Sequence, residues 1–179
     1  MGSKTRTPPT KLSLLLFLAI FVSSSQADYQ QKETNMTLYF QDFSGGPNAT
    51  VAIVTGIPGK VWSFFSFGTI FVTDDKITAG PERNSPEVGR GQGIYVTSSL
   101  DGANTHVLFS IVFTNKEYNG STLEIQGRSI QLASVRESSV VGGTGNFRLA
   151  KGIATFETIY YDATIFYSII RCNVTVLHI

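Results

Sequence analysis

Met36-Thr37-Leu38-Tyr39-Phe40-Gln41-Asp42-Phe43 alternates along its length. In an extended chain Met36, Leu38 and Phe40 fall on one side and Thr37, Tyr39 and Gln41 on the other, because successive side chains of a strand point to opposite faces. That is the pattern of a half-buried β-strand. Working outward, runs rich in Val, Ile, Phe, Tyr and Thr recur at residues 50–56, 67–73, 91–98, 105–114, 121–126, 130–135, 152–158 and 163–177. Each reads as a strand. Between them stand turn formers: Ser44-Gly45-Gly46-Pro47-Asn48, Asp74-Asp75, Leu100-Asp101-Gly102, Tyr118-Asn119-Gly120, Gly142-Gly143-Thr144-Gly145 and Tyr161-Asp162. Helical periodicity is hard to find.

About eight strands joined by short turns predict an antiparallel meander. A sheet of that size must manage its edges, and closure into a barrel removes them. An all-β, eight-stranded antiparallel barrel is therefore expected, with a two-sheet sandwich as the alternative. Such a barrel has room inside for side chains or for one small ligand. The last strand carries Ile165, Tyr167 and Ile169 on one face and Phe166, Ile170 and Cys172 on the other. Both faces then need cover: one lines the barrel, and the other meets a second copy or another segment of the same chain.

The first 27 residues differ from the rest. Lys4, Arg6 and Lys11 precede an apolar run, Leu12 to Val22, and Ser25-Gln26-Ala27 supplies small residues at a cleavage position. This is the layout of a secretory signal. The run of eleven residues is too short for a membrane anchor, which takes about 20. The expected mature domain is 28–179, located outside the cell. Four sequons agree with export: Asn35-Met36-Thr37, Asn48-Ala49-Thr50, Asn119-Gly120-Ser121 and Asn173-Val174-Thr175, so Asn35, Asn48, Asn119 and Asn173 are candidate glycosylation sites.

Composition closes several routes. The signal removes three of the 14 basic residues and none of the 13 acidic ones, so the mature charge is 11 − 13 = −2. No Lys/Arg cluster remains, which argues against nucleic acid as a partner. Cys172 is the sole cysteine and cannot form an internal disulfide. With His106 and His178 as the only histidines, no metal or haem set is expected. Neither histidine lies in a catalytic motif, and both read as structural. No phosphate loop occurs, and no cofactor is implied.

Several stretches together resemble one family, the plant dirigent proteins. Leu38-Tyr39-Phe40-Gln41-Asp42 is similar to its first-strand motif, Tyr-Phe-His-Asp. Phe67-Gly68, Asp74-Asp75 and Ile77-Thr78 follow in order. Val88-Gly89-Arg90-Gly91-Gln92-Gly93-Ile94-Tyr95 resembles a Gly-Arg-Ala-Gln-Gly-aromatic strand, and Tyr118-Asn119-Gly120-Ser121-Thr122-Leu123 and Val135-Arg136-Glu137 fit as well. Val140 to Phe147, followed by Arg148, is the most specific match.

The resemblance implies a calycin-like barrel similar to allene oxide cyclase, assembled as a dimer or trimer in the plant apoplast. It implies a protein that binds phenoxy radicals or quinone methides from monolignol-type phenols and imparts stereoselectivity on their coupling to lignan-like products. Oxidation is then the work of a separate laccase or peroxidase. The alternative within the family is an enzyme in its own right, a pterocarpan synthase-like dehydratase and cyclase acting through a quinone methide.

The resemblance also assigns the pocket. Asp42 and Arg136 stand where the family has a catalytic Asp and Arg, and Tyr95 where it has a substrate-binding Tyr. Ser129 and Thr97 replace a second Asp and a second Tyr, and Gln41 replaces the His before the first Asp. With the second Asp gone, and without the paired cysteines of the lignan-forming branch, the chain looks more like the family's other branches. A carboxyl in an apolar pocket has its pKa raised, so Asp42 could give or take a proton, Arg136 could orient it or hold a phenolate, and Tyr95 could stack on an aromatic ring.

Overall fold

The computed structural model describes residues 30–179, and the folded body runs from Gln31 to Ile179. The expected export signal lies outside the described residues. Nine strands follow one another: β1 (Lys32–Phe43), β2 (Val51–Thr55), β3 (Ile70–Thr78), β4 (Glu87–Thr97), β5 (Asn104–Phe113), β6 (Thr122–Ile130), β7 (Arg136–Thr144), β8 (Lys151–Asp162) and β9 (Tyr167–His178). A single 3-10 turn, Gly145–Phe147, separates β7 from β8. All pairings are antiparallel, in the order β1-β9-β8-β7-β6-β5-β4-β3-β2. Eight strands close into a barrel where β1 meets β3 at Tyr39↔Thr78, Phe40↔Ile77 and Gln41↔Lys76. The ninth, β2, takes over the same edge of β3 beyond that contact, at Val51↔Thr73 and Ala52↔Val72. The expected barrel is the fold.

The interior has two halves. Along every strand, alternate residues point inward, and at one end these are apolar. Leu38, Ile77, Ile111, Phe113, Leu123, Ile125, Val140, Ala154, Cys172, Val174 and Val176 fill that half, with Phe147 of the 3-10 turn set against them. Phe113, Phe147 and Tyr118 meet ring to ring at 5.0–5.4 Å. Removing one such buried ring costs about 3–5 kcal/mol. The free Cys172 thiol sits here, fully buried, and burial holds its pKa above the ordinary thiol value. His178 also fits its structural reading: its ring packs edge-on to Phe147 at 5.2 Å, and Nε2 lies 2.9 Å from the Thr34 hydroxyl. His106 is exposed on β5.

Local boundaries depart from the sequence reading in five places. Asp74-Asp75 is not a turn but the middle of β3. Gly142-Gly143-Thr144 is the end of β7, where Gly143 lies so close to the Phe147 and Thr122 carbonyls that a Cβ would stand 2.6–2.7 Å from them. The stretch 121–126 continues as strand to Ile130, and 131–135, expected as strand, is the turn before β7. Finally, 163–166 is the β8–β9 hairpin rather than strand, so Ile165 and Phe166 are exposed, with Phe166 in the left-handed region at φ 52°. Each time a turn-forming or apolar composition was overruled by the pairing of neighbouring strands.

The outer face near Tyr167 is covered by the chain itself. The segment between β3 and β4 lies over it, with the Arg83 guanidinium 4.9 Å from the Phe43 ring and 5.2 Å from the Tyr167 ring. Gln41 faces this outer cluster, not the barrel interior. It accepts from the Tyr167 hydroxyl and donates to Thr78 Oγ1 at 2.8 Å.

Candidate active site

In the other half of the barrel the inward positions turn polar and smaller, and the interior opens into a cavity of about 250 Å³. Its floor is apolar. Phe40, Phe109 and Phe156, from β1, β5 and β8, meet edge to face at 5.9–6.0 Å and separate it from the dry core. Gly91 on β4 makes room for this cluster, since a Cβ there would overlap the Phe40 ring. One wall is an aromatic stack: Phe64 lies on Phe71 at 4.5 Å, and Phe71 on Tyr95 at 5.1 Å.

Asp42 continues the inward face of β1 after Leu38 and Phe40, so the alternation that builds the core also delivers a carboxyl to the cavity. Its pKa is raised from 3.8 to about 8, first by burial and then by repulsion from Asp75, with Arg136 pulling the other way. Asp75 is the residue that sequence reasoning missed. On β3 it shares inward parity with Phe71, Thr73 and Ile77, and it lines the same cavity. Thr50 Oγ1 donates to one carboxylate oxygen at 2.5 Å and Thr73 Oγ1 to the other at 2.9 Å. Burial raises its pKa to about 6, while those two donors hold it below its neighbour. Two interacting carboxyls titrate as a pair, here in steps near 6 and near 8. Between those steps the cavity holds one proton and one negative charge.

Arg136 opens β7, facing inward from the cavity's rim. Its guanidinium donates to Thr158 Oγ1 at 3.0 Å and to the Ala133 carbonyl at 3.4 Å. The ion pairs among the described residues are Arg90–Asp74 and Arg171–Glu157, so Arg136 has no carboxylate in contact. Burial lowers its pKa and Asp42 raises it. Burial and the two carboxyls push the Tyr95 phenol well above its usual range, so it is a neutral hydrogen-bond donor at working pH.

Of the residues assigned from sequence, Asp42, Arg136, Tyr95 and Ser129 all line this one cavity. Thr97 does not. It is fully buried behind the aromatic wall, its hydroxyl donated to the Phe64 carbonyl at 2.8 Å. Gln41 lies outside the barrel, as described above. The second carboxyl of this cavity comes from β3, as Asp75. The parity of Asp75 with Phe71 and Ile77 was a signal for this, hidden because an Asp-Asp pair reads as a turn. The candidate glycosylation residues Asn35, Asn48, Asn119 and Asn173 are all exposed. A set of three or more His, Cys, Asp or Glu side chains placed to hold a metal ion is absent among the described residues.

A family model described as dirigent-like protein matches residues 33–177. Dirigent protein 11 of Arabidopsis thaliana is 35% identical over 173 residues, which cover 90% of this chain and 90% of that protein. Pterocarpan synthase 1 of Glycyrrhiza echinata is 37% identical over 150 residues, 83% of this chain and 80% of the other. The solved structure of the pterocarpan synthase dirigent protein GePTS1 superposes with a TM-score of 0.76 at 37% identity, over 83% of this chain and 86% of its own.

Proposed function

The chain belongs to the dirigent family, and from that premise we propose that it holds one phenol-derived quinone methide in the open half of its barrel and sets the face on which a hydroxyl adds. The observation that carries this reading is the pair Asp42 and Asp75, two carboxyls with separated titrations facing one cavity. A general acid and a general base side by side are what dehydration and ring closure require.

The steps balance without an oxidant. Near neutral pH Asp42 carries the proton and Asp75 the charge. Starting from an isoflavanol-type alcohol, Asp42 protonates the leaving hydroxyl, which departs as water, while the phenol proton passes to Asp75. The product is the neutral quinone methide. A second hydroxyl then adds to the methide carbon and releases its proton to Asp42, while the quinone methide oxygen takes a proton from Asp75 and becomes phenol again. Both carboxyls finish as they began, and the net change is loss of one water. Arg136 and the Tyr95 hydroxyl supply positive charge and a donor for the oxygen that gains negative charge, inside a cavity where such contacts are stronger than in water.

A cavity of about 250 Å³ supports one bound molecule over two, since ligand pockets begin at about 300 Å³. That favours the single-substrate route, the activity named for Pterocarpan synthase 1 of Glycyrrhiza echinata. Where the quinone methide instead comes from a monolignol, a separate laccase or peroxidase makes it, and this protein directs the capture that gives optically active lignan-like products. The leader at residues 1–27 and the exposed sequons support work outside the cell as a glycoprotein. Val72, Ile94 and Leu108 form a directly paired outward row across β3, β4 and β5, exposed by 40, 41 and 48%, which supports a homo-oligomer through that face.

Chiral chromatography tests the proposal. An isoflavanol incubated with the purified protein and no oxidant should yield one enantiomer of the cyclised product, and Asp42→Asn should not. A racemic product from the isoflavanol, and also from coniferyl alcohol with a laccase, would remove the directing role.

A further inference from the structure

The barrel wall is open at one seam. β6 and β7 pair from Thr122↔Thr144 to Gln126↔Ser139, with a bulge that throws Val141 outward, and the register ends there. On their far sides the strands stay paired, β6 with β5 to Asn104↔Ile130 and β7 with β8 to Arg136↔Phe156. Gly127 still lies against Ser138, a Cβ there standing 3.4 Å from its Cα, and beyond them Arg128–Ile130 and Val135–Glu137 border a slot that a second pocket of about 390 Å³ fills. Arg136 and Ser138 line both this pocket and the main cavity, so the two share a wall. Strand edges left without a ladder partner offer backbone donors and acceptors to whatever enters.

The slot is polar, and its charge is unbalanced. Arg128 stands at its outer side, exposed, and Arg136 at its inner side, while Glu137 is the one acid among its lining residues. The ion pairs among the described residues use none of these three, so two arginines line the slot against one acid. No aromatic ring lines it, so a sugar would find no stacking platform there. Planar guanidinium forks match carboxylate geometry bidentately.

We propose that the β6–β7 slot is a subsite for a carboxylate carried on the side chain of the phenolic substrate, with Arg128 as its counter-charge. The phenol ring sits in the barrel against the Phe40, Phe109 and Phe156 floor, and the acidic tail leaves through the wall. Along the route in which an oxidase supplies the quinone methide, the preferred ligand class is then a hydroxycinnamic-type acid over the corresponding alcohol. This rests on the phenol-binding reading above and deepens it.

The test is calorimetric titration of the intact protein with three probes: ferulic acid, coniferyl alcohol and the glucoside of that alcohol. At low salt the acid should bind about three- to tenfold more tightly than the alcohol, and the difference should shrink on raising salt through screening. Arg128→Gln should erase the difference and leave the alcohol's affinity unchanged, and Arg128→Lys should keep part of it. Arg128 is exposed, so neither variant threatens folding. Equal affinities for acid and alcohol in the unaltered protein, or an acid preference that survives Arg128→Gln, would overturn the subsite and leave the phenol pocket standing. Glucoside binding as tight as the acid's and indifferent to Arg128→Gln would overturn the carboxylate assignment. Binding of none of the three would overturn the subsite together with the oxidase-supplied form of the reading it rests on.

Discussion

Asp42→Asn should inactivate the protein and stabilise it, and the stabilisation should grow with pH. The Asp42 pKa is 3.8 in its ordinary setting and about 8 in the fold. Between those values the native state keeps a proton that the unfolded state has released. Native proton binding exceeds unfolded binding, so stability falls as pH rises through that window. The contribution is fully present below about pH 4 and lost by about pH 8. At about pH 7.5 the cost of holding Asp42 protonated is on the order of 5 kcal/mol by the shift alone, and about half that once cavity water screens it. Asn has the same shape and no proton to hold. Its gain should therefore raise Tm by roughly 5–10 °C at about pH 7.5, given about 2–4 °C per kcal/mol for a domain of this size, and by almost nothing near pH 4. Scanning calorimetry of both proteins across that range is the assay. A variant no more stable than the parent at about pH 7.5, or one whose gain is the same at both ends, would refute the claim that Asp42 is buried as a neutral acid. Activity should fall by about 10²- to 10⁴-fold, the usual worth of a general acid or base.

Rate against pH should be bell-shaped, with limbs near 6 and 8 from the carboxyl pair, and Asp75→Asn should lower the rate, remove the acidic limb and move the alkaline limb down, because the Asp75 charge is part of what raises Asp42. Gly93→Ala should cost about 1–3 kcal/mol of stability, read as a lower urea midpoint with an unchanged m-value, because a Cβ on β4 would collide with the Leu108 carbonyl and the Phe109 backbone of β5, neither of which can swing aside. Gln41→Leu should cost about 1–3 kcal/mol by orphaning the Tyr167 hydroxyl, yet leave turnover largely intact because Gln41 faces away from the cavity. Glycopeptide mass spectrometry of secreted protein should find Asn48 and Asn119 occupied and Asn35 and Asn173 sparsely so. The last two sequons pair across β1 and β9, with Thr37 Oγ1 donating to Asn173 at 2.8 Å and Thr175 Oγ1 to Asn35 at 2.7 Å, which holds both amides in a strand pair once it forms.

The barrel was legible because its inward and outward faces differ at most positions. β1 shows it: Leu38 and Phe40 are buried, and Thr37 is exposed on the other face. What the alternation could not show was where one strand ends and the next begins. Gly142 and Gly143 have turn chemistry, but they sit in β7 because β6 packs too close to Gly143 for a side chain. Ile165 and Phe166 have strand chemistry, but they form a hairpin because β8 and β9 must reverse there. Both facts belong to the neighbouring strand, and no single stretch of sequence contains them.

The site was half legible for a related reason. A resemblance transfers a residue at a position, and it carried Asp42, Arg136 and Tyr95 to one cavity while reading Ser129 as a loss. Physics asks instead what the barrel interior receives from any strand. Inward parity on β3 runs Phe71, Thr73, Asp75, Ile77, and on β1 it runs Leu38, Phe40, Asp42. In both strands an acid interrupts an apolar series on the same side of the chain, and burying a carboxyl costs too much to be incidental unless its pKa rises or donors surround it. Asp42 takes the first course and Asp75 part of the second, through Thr50 and Thr73. The difference in how the two are compensated separates their titrations, and in the proposed mechanism that separation lets one serve as acid and the other as base. On that proposal, a barrel without a carboxyl on β6 keeps the chemistry when another strand delivers one to the same cavity with a different set of donors.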